Sequence, residues 1–272
     1  MPGLAAVIVN GLLLGTAAVT LFPLLWMLSV SLMSAGEASA FPPPLLPVHW
    51  TLDNYRALFT HADIGRYLAN SVLLTTLVTV ASLALNVAAG YAFAKLEFAG
   101  RERIFRVLLA ALVIPSQVAM VPLFLLLKRL GLVNSYGGVI VPAMASIFGI
   151  FLVRQYALSI PGALLEAARI DGASEFRIFR SVVVPALKPI IVTLAVFTVL
   201  GTWNDFMWPL IVLTDQQLYT LPVALASLSR EHVQDNELMM AGAVLTTLPV
   251  LIVFLLLQRH YIQGLLMGSV KG

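Results

Sequence analysis

The chain has no cysteine, which excludes a disulfide framework, a thiol nucleophile and any cysteine-ligated zinc or iron–sulfur centre. Its four histidines, His49, His61, His232 and His260, are too scattered to suggest a metal site, so no metal is expected. No Gly-x-x-x-x-Gly-Lys-Ser/Thr run occurs. The chain is therefore expected to bind no cofactor of its own, and any ATP must be bound on another chain. Charge is scarce too: 11% of the 272 residues are charged, against roughly a quarter in soluble domains. In its place are 60% hydrophobic residues and a mean hydropathy of +0.96. A chain of this size cannot hide so much apolar side chain in its own core, so lipid must solvate the rest. The composition describes an all-α integral membrane protein.

Charges bound the spans, because a charge at the bilayer centre is costly and a helix needs about 20 residues to cross. Six apolar stretches result, at residues 4–32, 67–94, 107–127, 138–157, 190–213 and 238–258, with a cytoplasmic loop at 158–189, all in one transmembrane domain over 1–272. The third is expected to cross despite Pro115 and Pro122, since neighbouring helices can satisfy the freed carbonyls. Six spans put both termini on one side. Of the 16 Lys and Arg, eleven collect on that side and five on the other, so the positive-inside rule makes both termini cytoplasmic. The pI near 9.3 is thus an orientation signal, and no nucleic acid is expected as a partner. Membrane lipid is the expected surroundings.

The first stretch is too long and too poor in preceding charge for a secretory signal, although Ala38-Ser39-Ala40 looks like a cleavage site, and it reads as a retained anchor. Its missing basic flank is what a start inside a longer natural N-terminus would give. The outer loop from Ser34 to Arg66 has Pro42, Pro43, Pro44 and Pro47, then Trp50, Tyr55 and Phe59. It is expected to lie along the membrane surface as an extended piece followed by an aromatic-rich helical one. The loop from Thr214 to Glu237 gathers Arg230, Glu231 and His232 near its end, a candidate docking surface for an extracytoplasmic partner.

One segment carries a mechanism. Pro161 and Gly172 bracket a helix of about ten residues, with glycine free to adopt the left-handed cap. Ser174 can cap a second helix, with Glu175 well placed in its first turn. Two helices meeting at a glycine make a rigid elbow. The first is too short to be stable alone, and Ala163, Ala167 and Ala168 leave a flat face for another protein's backbone. Glu166 offers that partner a carboxylate, with Arg169 one turn away as its possible local neighbour.

Glu166-Ala167-Ala168, Gly172 six residues beyond the glutamate, and Val184-Pro185 after a further helix resemble the EAA motif of ABC importer permeases. Ile170-Asp171-Gly172-Ala173, Trp203-Asn204-Asp205-Phe206, Trp208-Pro209-Leu210 and Trp50-Thr51-Leu52-Asp53-Asn54-Tyr55 resemble the carbohydrate-uptake branch, in particular the smaller permease of the maltose type. The terminal run from Gly264 to Gly272 is similar to that subunit's closing tail.

The resemblance implies six transmembrane helices with a cytoplasmic coupling helix, the type I importer fold, in a bacterial or archaeal cytoplasmic membrane. It implies a heterodimer with a second homologous permease, two ATPase subunits and an extracytoplasmic solute-binding protein. The chain would form half of a pathway for maltose, maltodextrin, trehalose or a related glycoside and would itself be no enzyme. Glu166, Ala167, Ala168, Arg169, Asp171 and Gly172 would couple to an ATPase, and Gly264, Gly268, Lys271 and Gly272 would run along the ATPase interface. The loop with Arg230, Glu231 and His232 would probe the binding protein, although Ser229 to Gln234 departs from the Gly-Gln-Tyr-Gly-like run frequent in relatives.

Two other classes compete with this reading. An ion-coupled secondary transporter would use Asp205, about 15 residues into the fifth stretch and hence roughly 22 Å deep at 1.5 Å per residue. Such coupling usually needs more midplane ionisable groups, and Asn204 and Asp205 suit pore-lining, helix-capping or structural hydrogen bonding as well. A membrane-embedded enzyme needs a nucleophile and base or a metal set within the spans, and none presents itself.

Overall fold

A computed structural model describes residues 3–231 and 235–267, and every described element is helical. In chain order these are α1 (Leu4–Ser31), α2 (Asp53–His61), α3 (Ile64–Lys95), α4 (Arg101–Ala111), α5 (Ser116–Arg129), α6 (Tyr136–Ala143) and α7 (Ile147–Leu158). There follow α8 (Gly162–Ile170), α9 (Glu175–Ile178), a π-helical turn (Phe179–Val183), α10 (Val184–Ala186), α11 (Lys188–Trp203), α12 (Met207–Val212), α13 (Leu221–Glu231) and α14 (Asn236–Met267). Four stretches are long and apolar enough to cross a membrane, Ala5–Ser31, Ile64–Lys95, Tyr136–Leu158 and Asn236–Leu256, and up to six if each of two bent helix pairs is one span.

The bent pairs differ from the straight spans that composition suggests. Arg101–Ala111 and Ser116–Arg129 meet at 107°. Pro115 has no N–H to continue α4 and drives Ile114 out of helical geometry, so the chain turns there instead of absorbing the proline as a kink. Glu175–Ala186 and Lys188–Trp203 meet at 77°, where Pro185 and Pro189 flank Leu187.

The chain divides into two compact units, Met1–Tyr67 with Leu221–Pro249, and Leu68–Thr220 with Val250–Gly272. In the first, none of the apolar window of α1 is buried; its side chains are left to a membrane or to another chain. The segment after it is pinned back: Thr51 N–H donates to Leu32 O (3.0 Å), and the Asn54 amide donates to Ser31 O (3.0 Å) and Met33 O (2.8 Å). The Glu37 carboxylate accepts from the Val48 and Ser34 N–H groups, which hold it below the usual carboxylate range. Buried Glu237 accepts from Ala38 N–H at 2.7 Å.

Among the described residues of the second unit, two cores stand out. One joins Leu74, Leu127, Val139, Trp208, Val212 and Leu213. The other joins α3, α7, α8 and the chain leading into α11 through Val87, Tyr91, Val153, Leu165, Ile178 and Leu194. α3 lays a polar row against them, because Ser71, Thr75, Ser82 and Asn86 recur at helical spacing and are buried. Asn86 answers two neighbours at once, donating to Ser82 Oγ (2.7 Å) and accepting from Ser146 N–H (3.0 Å) where α7 begins. A Cβ at Gly149 would lie 2.8 Å from the Asn86 amide nitrogen, so only glycine allows that approach.

Candidate functional site

The elbow between α8 and α9 is built almost entirely by local chemistry. Pro161 caps α8 with φ −59°, and after the nine residues of α8 and Asp171, Gly172 enters the left-handed region with φ +78°. Ala173 N–H then donates to Ala168 O (3.0 Å) and Gly172 N–H to Arg169 O (3.0 Å), the paired reverse bonds of a Schellman end. Ser174 starts α9 by accepting from Arg177 N–H at 3.4 Å.

Helical periodicity divides α8 into two faces. Leu165 is 3% exposed and packs with Val87, Tyr91, Val153 and Ile178, while Ala168 leans on the same core. Ala163, Glu166, Ala167 and Ile170 are exposed. The chain entering α8 is tied to the end of α3, since Lys95 Nζ donates to Leu158 O (3.2 Å) and Ile160 O (2.6 Å). Thus α8 is seated on its own subunit by one face and offers the other outward.

Three apolar side chains at the elbow are also uncovered: Leu164 at 49%, Ile170 at 86% and Phe176 at 72%. Sequence reasoning passed over them as interface residues, although Ala163, Ala167 and Ile170 follow an i, i+4, i+7 spacing that could have marked the face. It also missed Tyr91 and the true partner of Arg169. The Arg169 guanidinium pairs across the turn with Glu175, Nε to Oε1 at 2.7 Å, and not with Glu166. That bond holds the Glu175 carboxyl below its ordinary range and raises the guanidinium. Tyr91 Oη donates to the other Glu175 oxygen at 3.4 Å.

Asn204 and Asp205 occupy a break between α11 and α12. Asn204 closes α11 by donating to Leu200 O (2.8 Å), and Asp205 Oδ1 accepts from Trp208 N–H (3.3 Å) at the start of α12. Trp208 Nε1 donates to Gly138 O at 3.1 Å. The polar pair is engaged in ending and restarting a helix. The 214–237 region, expected as a loop, contains α13, whose Leu221, Val223 and Ala224 are buried and draw the chain into a helix. Arg230 and Glu231 end α13; His232, Gly268, Lys271 and Gly272 lie outside the described residues, and Gly264 falls within α14.

Membrane-length helices, bent helix pairs and an exposed short helix seated on the chain's own core describe an all-helical protein with several candidate membrane spans. Residues 82–266 match the family described as binding-protein-dependent transport system inner membrane component. Among curated relatives, the arabinooligosaccharides transport system permease protein AraQ of Halalkalibacterium halodurans is 39% identical over 263 residues, covering 94% of this chain and 93% of its own. The diacetylchitobiose uptake system permease protein NgcG of Streptomyces coelicolor is 35% identical, covering 98% and 89%. A chain of a bacterial ABC transporter involved in the import of the acidic polysaccharide alginate superposes with a TM-score of 0.84 at 26% identity, covering 93% of this chain and 95% of that one. The chain belongs to this family, as an inner-membrane permease of a carbohydrate-uptake ABC importer. It is a transport subunit and not an enzyme, and it works with a solute-binding protein.

Proposed function

We propose that the chain forms half of the pathway for a short oligosaccharide and takes its power stroke through the elbow, with residues 158–189 facing the cytoplasm. The observation that carries this reading is the two-faced α8, with Leu165 in the core and Glu166, Ala167 and Ile170 outward. A nine-residue helix has no use for a flat apolar face in water unless another chain covers it. Glu166 supplies the charge-assisted contact, aimed at a basic group of the ATPase. The tail with Gly264, Gly268, Lys271 and Gly272 is the second candidate contact with that ATPase, and ATP and Mg sit on it. A second, homologous permease supplies the other half of the pathway and two ATPase subunits complete the importer.

Both termini lie in the cytoplasm on the strength of the Lys and Arg asymmetry. The substrate reading rests on relatives whose names specify arabinooligosaccharides, diacetylchitobiose and alginate. Maltose, maltodextrin, trehalose and related glycosides share that chemistry of linked, hydroxyl-rich rings. The loop with Arg230, Glu231 and His232 is the proposed contact with the binding protein.

The test is ATP-driven sugar uptake by the assembled importer in vesicles. Glu166→Ala should lower it about tenfold or more, the loss expected when a hydrogen bond to a charged group is removed. Unchanged uptake by this variant overturns the coupling role, and uptake driven by an ion gradient without ATPase overturns the whole reading.

A further inference from the structure

The elbow is crossed by a bridge that neither arm of it could form alone. Arg169 sits in the last turn of α8 and Glu175 in the first turn of α9, and their 2.7 Å contact closes a ring around the Gly172 turn. The second Glu175 oxygen accepts from the hydroxyl of Tyr91, 84 positions earlier in the sequence and on α3. Tyr91 is only 4% exposed, and its ring lies 5.5 Å from that of Phe179, which follows α9. One carboxylate therefore links the presented helix, the helix after the turn and a membrane-spanning helix.

From this geometry we propose that Arg169, Glu175 and Tyr91 form a brace that fixes the angle of the elbow and passes its displacement to α3. This rests on the coupling reading of α8 and deepens it. Without the brace, α8 hangs from the core by Leu165 and Ala168, apolar contacts that resist separation better than rotation, since hydrophobic burial has no directional component. A carboxylate held between two donors resists rotation, because hydrogen bonds weaken steeply as they bend. The three residues are positioning residues: none needs to touch sugar or nucleotide.

The experiment uses the assembled importer in vesicles and reads sugar transported per ATP hydrolysed. R169Q and E175Q should each lower that ratio about two- to fivefold, the size expected of an exposed ion pair. The double variant should be no worse than either single one, since both remove one bridge. Y91F, which keeps the ring and loses the hydroxyl, should give a smaller loss in the same direction.

A second readout is independent of transport: hydrogen exchange at the amides of residues 172–177 should quicken in E175Q within the intact complex. Additive losses in R169Q and E175Q, or an unchanged ratio together with unchanged exchange, overturn the brace. Should Glu166→Ala uncouple the importer while R169Q and E175Q transport normally, the brace falls and the coupling reading stands. Should all three transport normally, both fall.

Discussion

The chain interrupts its helices in two chemically different ways, and the elbow at Gly172 and the break at 204–206 show the contrast. At the elbow local groups suffice: the left-handed glycine turn folds two N–H groups back onto α8, and the Ser174 hydroxyl accepts from Arg177 N–H in the first turn of α9. Exposed residues surround it, so water can take whatever remains unpaired. At 204–206 there is no glycine and no left-handed residue. Asn204 spends its amide on α11 and Asp205 its carboxylate on α12, between the buried Trp203 and Trp208. Where a helix breaks in an apolar stretch, side chains must do what solvent does elsewhere. The first break suits a stiff corner at an exposed surface, and the second a bend held by the chain's own side chains.

The largest expected effect breaks the first of these. Gly172→Val places a β-branched residue at φ +78°, at a cost of about 1–2 kcal/mol or more in backbone strain. No atom lies within 4 Å of the missing Cβ, so the cost is conformational and not a clash. The variant should insert and assemble yet hydrolyse ATP without matching uptake, whereas Gly172→Asn, which tolerates the left-handed region, should recover most of the coupling. Normal uptake by Gly172→Val would refute the elbow's role in coupling. The second break is probed by Asp205→Ala, which should cost about 1–2 kcal/mol through the lost cap, read as a lower melting temperature of the purified importer. Asp205→Asn keeps the acceptor and should melt close to the parent. If instead Asp205→Asn abolished ATP-driven uptake with no change in melting, the carboxylate would be serving transport and not architecture.

What could be read in advance follows the same division. The elbow was legible because its signals are local: Pro161, Gly172 and Ser174 act on their own backbone within a few residues. The apolar lengths marked the four helical stretches long and apolar enough to cross a membrane for a similar reason, since hydropathy needs no knowledge of neighbours. The partner of Arg169 was not legible, because Glu166 and Glu175 are both within reach in sequence and only the turn decides between them. Tyr91 was invisible, as nothing in a stretch of Gly90-Tyr91-Ala92 announces a contact with Glu175. The bend at Pro115 was underestimated, because a proline in an apolar run is tolerated or decisive according to packing. α13 hid inside a polar segment, its buried face made by Leu221, Val223 and Ala224 among serines and charges.

The smallest effect separates the brace from the glycine turn by acidity. Glu175 is held ionised by the Arg169 guanidinium, so its carboxyl titrates lower in the folded chain than when unfolded. The bridge is therefore fully formed above the ordinary carboxylate range and is lost as pH falls through the lowered folded value. Both partners are about half exposed, and salt should weaken the bridge in the same direction as acid. Hydrogen exchange at residues 172–177, corrected for its intrinsic pH dependence, should hold steady through neutral pH and quicken only in acid. In E175Q it should already be quick and should show no such acid step. Asp171 is the other carboxyl at the turn, so an acid step of equal size in the parent and in E175Q would place the sensitivity there or elsewhere and remove the ion pair from the account of the elbow's stiffness.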